Sequence, residues 1–389
     1  MPAAPATVET MGHRALQGPI RRLVASGDWL LAGLAVALSL LGLVIVYSAT
    51  RSWVVGDPAY YVRRQAVSLA IGLVGLMGGI LYGYRQVLRM AYGLYGLSVL
   101  LLVAVLLVGR RVAGTQGWLV FGPLSLQPAE LAKVTLIVAL ARYLGDRRPP
   151  ESWRDLLGPL AMTAGVAGLV LLQPDLGTAV VFGIILLGML YVAQVPSRML
   201  ATMTGLAVAA VALAVMASWY GWVAVLKPHQ IQRLAVFLDL EGNRQGAGWN
   251  VTQSLIAIGS GRLFGQGLFQ GPQTQLAFVP ARHTDFIFAT LGEELGFFGA
   301  AATLAAYGLL LRRCMAVAGG ARDRAGALLA SGVAVTIGFH VVFNIGMTLG
   351  LAPVMGIPLS LLSYGGSHLI AMLTAVGLAA GVGARRLGW

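Results

Sequence analysis

The chain has 389 residues, of which 58% are hydrophobic and only 11% are charged. Because soluble domains carry about a quarter charged residues, this composition excludes a water-soluble globular protein and predicts an integral membrane protein. The formal net charge is +13. The basic residues cluster in short segments between apolar runs, where they orient a membrane protein and contact anionic lipids, so nucleic-acid binding is not expected.

Apolar runs long enough to cross a bilayer follow one another along the chain after a polar N-terminal tail. Residues 1–26 form this tail, which we expect to be cytoplasmic, and residues 27–389 form one membrane domain. The expected fold is all-α, with about ten transmembrane helices at 29–49, 64–82, 88–109, 128–144, 156–173, 176–194, 198–219, 285–311, 327–351 and 358–384. The weakest of these is 128–144, because it contains Glu130 and Lys133.

Arginine and lysine are more frequent on the side of the membrane that holds the N-terminal tail, which predicts that both termini are cytoplasmic. Residues 220–284 are then a long extracytoplasmic loop between helices 7 and 8. Its stretch 249–258 is amphipathic and predicts a helix at the membrane surface. The glycine-rich stretch 259–271 predicts a tight turn or a close approach to a ligand.

Charged residues inside or at the mouth of a membrane helix are costly and usually face a cavity or a partner. Asp285 begins the eighth predicted span, directly after His283 and Thr284, and is either a helix N-cap or a general base that faces the outside. Glu130 and Lys133 lie on one helix face. They form either a buried ion pair that joins helices or part of a cavity.

Other polar positions in the predicted spans and the long loop leave two interpretations open. For Glu293 and Glu294 a structural or capping role is favoured over catalysis. The loop arginines, which include Arg233 and Arg262, either bind phosphates or contact lipid headgroups. The stretch 363–367 either cradles a phosphate or interrupts a helix for packing.

These motifs, in this order, resemble the SEDS family of bacterial cell-wall polymerases, to which RodA, FtsW and SpoVE belong. The resemblance is carried by residues 42–49, 61–65, 127–133, 173–178, 253–261, 283–289, 292–296 and 363–367. Residues 27–30, 264–267 and 353–358 are more similar to RodA than to FtsW. Three positions depart from the family pattern: Ala281, Gly117 before Trp118, and His368 after the Ser-Tyr-Gly-Gly-Ser motif.

The resemblance implies a peptidoglycan glycosyltransferase in the bacterial inner (cytoplasmic) membrane, with its active site on the extracytoplasmic side. Such an enzyme polymerises lipid II into β-1,4 glycan strands, with inversion, during cell elongation and shape maintenance. The family's essential aspartate falls on Asp285, which is the expected general base. The expected substrate-binding or cavity residues are Arg63, Gln127, Glu130, Lys133, Asp175, Arg233, Arg262, His283, Thr284, Ser363, Tyr364, Gly365, Gly366 and Ser367.

The expected partners are lipid II and the growing glycan strand, a class B penicillin-binding protein, MreC and MreD, and membrane lipids. The one cofactor considered is a divalent cation, Mg²⁺ or Mn²⁺, for which the sequence assigns no ligands. Two other functions stay open, a lipid II flippase and a non-catalytic scaffold for a penicillin-binding protein. No inverted repeat is visible in the sequence, which counts against the flippase.

Overall fold

The structure is a computed structural model that describes residues 28–53, 56–112, 115–121, 124–220 and 248–385, with positions 231, 233, 236, 237, 239 and 242 between them. The predicted N-terminal tail and most of residues 221–247 lie outside the described residues. The described part is mainly helical. Its helices are α1 Trp29–Thr50, α2 Tyr60–Tyr82, α3 Tyr84–Arg89, α4 Ala91–Val108, α5 Pro128–Gly145, α6 Leu157–Leu172, α7 Leu176–Val192, α8 Ser197–Trp219, α9 Trp249–Ser260, α10 Pro272–Gln275, α11 Ile287–Gly319, α12 Arg324–Thr348 and α13 Gly366–Ala384.

Eight helices of the described part are long and apolar enough to cross a membrane, which confirms a polytopic helical membrane protein. They are α1, α2, α4, α6 with the preceding 3₁₀ turn Trp153–Leu156, α8, α11, α12 and α13. The other two predicted spans correspond to α5 and α7. The helix α7 is apolar but has only 17 residues, and α5 carries Glu130, Lys133 and Arg142 among its 18 residues. The count of ten spans therefore stays a prediction.

A small antiparallel sheet connects α4 to α5 and was not predicted. Its strands are β1 Arg110–Val112, β2 Thr115–Phe121 and β3 Leu124–Leu126, in the order β1-β2-β3. Strands of three residues are too short for alternation to be visible in a sequence. The sheet places Arg110 opposite Trp118.

The last predicted span begins later than expected. The chain is irregular after Thr348, and regular helix starts only at Gly366. Pro353 and Pro358 have no backbone N–H to donate to a helix, and Leu361 has a φ of 70° that a helix does not allow. Residues 351–365 are therefore a loop that is free to contact other elements.

The helices α2 and α13 pack with their backbones in contact. A Cβ atom built on Gly79 would lie 2.6 Å from the carbonyl carbon of Gly377, and one on Gly377 would lie 2.3 Å from the carbonyl oxygen of Leu76. Small residues allow this close approach between membrane helices. The contact holds the second half of α13 against the second half of α2.

The helix α11 is interrupted at Gly296, whose φ of 65° and ψ of −164° are not helical. The carbonyl groups of Glu293 and Glu294 accept hydrogen bonds from backbone N–H groups of the loop 262–267, at 2.9 and 3.1 Å. The N–H groups just after the break donate to carbonyls of the same loop, at 2.8 and 3.1 Å. In a bilayer every backbone polar group needs a partner, so the glycine-rich loop supplies the partners that the break removes.

Candidate functional site

A cavity of about 1700 Å³ lies between α2, α5, α7, α8, α13, the small sheet and the segment before α11. One part of its wall is polar and charged. Another part is apolar and comes mainly from α2 and α8, with Val67, Ile71, Val211 and Val215. The cavity is therefore suited to a ligand with a polar head and an apolar tail.

The structure brings most of the predicted site residues to this one cavity. Those that line it are Arg63, Gln127, Glu130, Lys133, Asp175, Arg233, His283, Thr284, Asp285, Tyr364, Gly365, Gly366 and Ser367. Arg262 and Ser363 do not line it. Arg262 lies in the loop that pairs with the break in α11, where its carbonyl accepts a hydrogen bond from Phe297 at 2.8 Å.

Residues 281–286 form an irregular turn just before α11, and other elements hold its backbone. The Asp285 carbonyl accepts a hydrogen bond from the side-chain amide of Asn344 at 2.8 Å. The Thr284 carbonyl accepts from Ser363 Oγ at 2.7 Å, and the His283 carbonyl accepts from the Tyr364 N–H at 2.8 Å. Ser363 therefore acts on the site through the backbone of this turn.

The carboxylate of Asp285 has no hydrogen bond or ion pair within the described part of the chain. The N-cap interpretation is wrong, because Phe286 is the N-cap residue of α11 and no side chain caps that end. One carboxylate oxygen lies close to Gly356, where an added Cβ would be 3.7 Å away. The side chain lines the cavity with its charge unpaired.

Burial raises the pKa of Asp285 to about 6, against the opposing effect of the positive charge of Arg233. The negative charge of Asp175 adds to the increase. Burial also raises the pKa of Asp175. That carboxylate caps α7, since it accepts from the N–H and hydroxyl groups of Thr178 at 3.0 and 2.9 Å. Asp285 is the better proton acceptor of the two, because its oxygens are free and its pKa lies near neutrality.

His283 belongs to an aromatic cluster beside Asp285. Its ring lies 4.5 Å from Trp53, 5.5 Å from Tyr61 and 5.5 Å from Tyr364, measured between centroids. Burial, and secondly the charge of Arg282, lowers the pKa of His283 to about 4. The ring is therefore neutral at physiological pH.

Glu130 and Lys133 form the predicted ion pair and also line the cavity. Lys133 Nζ lies 2.7 Å from Glu130 Oε2, and both side chains are buried. The same oxygen lies 2.6 Å from His368 Nδ1. The two interpretations of this pair are thus compatible, because a buried pair of α5 forms part of the cavity wall.

The stretch 363–367 uses its polar groups for contacts within the protein. Ser367 Oγ accepts from the Gln127 N–H at 2.9 Å. The Gly365 N–H donates to Gln65 Oε1 at 3.2 Å, and Gln65 Nε2 donates to the Ser363 carbonyl at 3.1 Å. These contacts favour the interpretation of a helix interruption over a phosphate cradle.

Glu293 and Glu294 do not line the cavity. Glu293 accepts from the N–H of Gln273 at 2.7 Å and from the N–H and hydroxyl of Thr274 at 2.9 and 2.6 Å. Glu294 accepts hydrogen bonds from Ser48 and Gln275. Both carboxylates attach the loop before the Asp285 turn to α11, as the structural interpretation predicts.

Several polar residues of the cavity wall were not among the predicted site residues: Arg64, Gln65, Arg110, His340 and His368. His340 lies inside the predicted span 327–351, and a polar residue at such a position is a signal of function that could have been used. Arg110 could not be assigned to the cavity from the sequence, because it reaches the cavity through the sheet that was not predicted. In the described part of the chain, no three His, Cys, Asp or Glu residues are arranged to hold a metal ion. The divalent cation considered from the sequence stays a prediction.

Comparison with known proteins identifies relatives over nearly the whole chain. The sequence profile of the FtsW/RodA/SpoVE family, described as "Cell cycle protein", matches residues 28–386. The peptidoglycan glycosyltransferase MrdB of Escherichia coli K12 is 37% identical over 342 residues, which are 88% of this chain and 90% of MrdB.

Solved structures show the same fold. The rod-shape-determining protein RodA of Thermus thermophilus has a TM-score of 0.68 and 36% identity, covering 94% of this chain and 99% of RodA. A chain of a peptidoglycan synthase complex, described in terms of the coordination of polymerisation and crosslinking, has a TM-score of 0.77 and 37% identity over the same shares of the two chains. This chain therefore belongs to the FtsW/RodA/SpoVE family.

Proposed function

We propose that this bacterial membrane protein is a peptidoglycan glycosyltransferase that polymerises lipid II into β-1,4 glycan strands. Relatives named peptidoglycan glycosyltransferases match most of the chain at 37% and 32% identity. The observation that carries the proposal is the unpaired carboxylate of Asp285 in a large cavity with polar and apolar walls. A glycosyltransferase with a lipid-linked substrate needs both features.

The reaction inverts the anomeric carbon, since the sugar of lipid II is α-linked to its diphosphate and the product is β-linked. Asp285 removes the proton of the acceptor's 4-hydroxyl as the oxygen attacks the anomeric carbon of the donor. The bond from that carbon to the diphosphate oxygen breaks with its electron pair. The proton stays on Asp285, and the diphosphate leaves as an anion.

The leaving diphosphate needs charge stabilisation rather than a proton. Arginines line the cavity at Arg63, Arg64, Arg110 and Arg233, and their guanidinium groups bind phosphate oxygens in pairs of hydrogen bonds. Lys133 is less available for this role, because its ammonium group is held by Glu130 at 2.7 Å. The divalent cation stays a prediction, and the effect of a chelator on the polymerisation rate tests it.

The polyprenyl tail of the substrate is proposed to leave the cavity between α2 and α8. Both helices contribute apolar side chains to the wall. Met199 is the one buried residue of α8, so this helix has few contacts that prevent it from moving aside. The proposed orientation has both termini in the cytoplasm and Asp285 on the extracytoplasmic side.

The proposed partners are a class B penicillin-binding protein, MreC and MreD, and the proposed role is in cell elongation. Support for an associated crosslinking enzyme comes from the similarity to a chain of a peptidoglycan synthase complex. The greater similarity of three sequence motifs to RodA than to FtsW supports elongation over division.

The test is glycan-strand formation from purified lipid II by this protein together with its penicillin-binding partner inactivated in the transpeptidase site. Wild type is expected to give polymer, and Asp285→Ala is expected to give none. A stable complex that gives no polymer from intact lipid II, while it moves lipid II across vesicle membranes, would replace the polymerase with the flippase. Polymer in equal amount from both proteins would remove the assignment of Asp285.

A further inference from the structure

Two histidines of the cavity wall form a buried array with Glu130 that the proposed chemistry at Asp285 does not use. His368 Nδ1 lies 2.6 Å from Glu130 Oε2, and His368 Nε2 lies 3.3 Å from Ser360 Oγ. The ring of His340 stacks on that of His368, with 4.9 Å between centroids and 22° between planes. His340 and His368 are 1% and 4% exposed.

The hydrogen-bond partners determine which ring nitrogen of each histidine carries a proton. A carboxylate and a carbonyl only accept hydrogen bonds. His368 therefore donates from Nδ1 to Glu130, and His340 donates from Nδ1 to the Pro358 carbonyl at 3.0 Å. The hydroxyl of Ser360 can donate to Nε2 of His368.

The second nitrogen of His340 has no hydrogen-bond partner in the described structure. His340 is 1% exposed, and burial disfavours a second proton and the positive charge that it would bring. His340 is therefore neutral, and its Nε2 carries a lone pair. Buried polar atoms are nearly always hydrogen-bonded, so this nitrogen requires a donor that the described side chains do not supply.

The charge of this part of the wall indicates the kind of donor. Glu130 and Lys133 pair their opposite charges at 2.7 Å, and His340 Nε2 offers a lone pair, so this part of the wall suits a hydrogen-bond donor rather than a phosphate oxygen, which only accepts. The nearest chemical match in a lipid-linked sugar is a hydroxyl or an acetamido N–H, which are neutral donors. Both histidines line the cavity.

We propose that His340 Nε2 accepts a hydrogen bond from a hydroxyl or amide N–H of the sugar of the lipid-linked substrate, and that His368 and Glu130 position His340 for this contact. His340 is thus a substrate-binding residue. His368, held by Glu130, supports its ring by stacking. The inference rests on the proposed function in one respect, namely that the ligand is a lipid-linked sugar.

The experiment measures binding rather than turnover, so that its result does not depend on catalysis. The full chain with Asp285→Asn is placed in lipid nanodiscs and titrated with lipid II and, separately, with undecaprenyl diphosphate, which has the same tail and diphosphate but no sugar. His340→Phe keeps a ring that can stack on His368 but has no acceptor. His340→Gln keeps a carbonyl acceptor.

His340→Phe is expected to weaken lipid II binding about tenfold, as for one lost hydrogen bond, and to leave undecaprenyl diphosphate binding unchanged. His340→Gln is expected to restore lipid II binding to within about threefold of the parent. Unchanged lipid II binding by His340→Phe, or an equal loss for both ligands, overturns the proposal. If His340→Phe does not fold, His340→Leu replaces it under the same criteria.

The two proposals fail separately. A polymerase and a flippase both bind lipid II. The binding result therefore stays valid even if the protein proves not to be a polymerase. A parent protein that binds neither ligand overturns the binding site.

Discussion

Asp285 and Glu130 are carboxylates of the same cavity in opposite environments. Glu130 is in contact with a lysine and a histidine, at 2.7 and 2.6 Å from one oxygen. Asp285 has neither a hydrogen bond nor an ion pair among the described residues, and burial raises its pKa to about 6. A carboxylate with occupied oxygens holds structure together, whereas a buried one with free oxygens can take up a proton.

The largest expected effect is on the rate of glycan polymerisation, and it comes from the carboxylate with free oxygens. Asp285→Asn removes the proposed base and is expected to lower the rate of glycan polymerisation by a factor of about 10² to 10⁴. The control is Asp239→Asn, an exposed carboxylate that does not line the cavity, which is expected to keep its rate within about twofold of wild type. The rate of strand formation from lipid II is the measurement. A folded Asp285→Asn protein that polymerises at the wild-type rate contradicts the assignment.

The second effect is on stability at Glu130. Glu130→Gln leaves the Lys133 ammonium buried without its counter-charge, and the expected cost is about 3–5 kcal/mol of unfolding free energy. The double variant Glu130→Gln/Lys133→Met removes both charges and is expected to recover much of this loss. The control is Arg142→Met on the same helix, whose exposed pair with Asp146 is expected to contribute at most about 1 kcal/mol.

Thermal unfolding of the purified protein in detergent measures these differences. The single variant Lys133→Met completes the set. If the loss in the double variant equals the sum of the losses in Glu130→Gln and Lys133→Met, the two charges are not coupled, and the structural role assigned to Glu130 is wrong.

The third effect follows from the raised pKa of Asp285. The pKa of Asp285 is about 6 in the folded protein, against an ordinary value of 3.8. Its contribution to the stability of the fold is therefore fully present below pH 3.8 and is lost as pH rises through 6. At pH 7.5 the ionised side chain therefore costs about 1–3 kcal/mol. Asp285→Asn is expected to raise the unfolding temperature at pH 7.5 and to leave it unchanged near pH 4. An equal shift at both pH values would show that the raised pKa is not the cause.

The same pKa predicts a pH dependence of activity. The base must be ionised before it can accept a proton, so polymerisation by the wild-type protein is expected to decline as pH falls through about 6. The initial rate between pH 5 and pH 8, at saturating lipid II, measures this. A rate that stays constant down to pH 5 is incompatible with Asp285 as the base.

The smallest effect concerns the loop that precedes the Asp285 turn. Thr274→Val removes the hydroxyl that donates to Glu293 at 2.6 Å and is expected to cost about 1–2 kcal/mol of stability. Thr202→Val is the control, because its hydroxyl lies on the exposed side of α8 and bonds only the Arg198 carbonyl within the described structure. Thermal unfolding measures the stability loss in each variant. Equal losses would show that the hydrogen bond to Glu293 stabilises the protein no more than an exposed hydrogen bond does.

Much of the site could be predicted from its motifs, because the residues within a motif are close along the chain. The pair at positions 130 and 133 is an example, since an interval of three places both side chains on one face of a helix. The free carboxylate of Asp285 could not be predicted in this way. An aspartate before a helix usually caps it, and here the loop 351–365 and Asn344 hold the turn so that Phe286 takes the cap position.

The sequence by itself determined the class of this protein and its family. Long apolar runs can be stable only in a bilayer, and their order with the polar motifs is visible without any structure. The tertiary structure decided which polar groups are free and which are paired. His340, Glu130 and His368 are distant in sequence, and their contacts depend on how α5, α12 and α13 pack. Whether a buried polar atom has a partner is a property of that packing, since the partner comes from another helix.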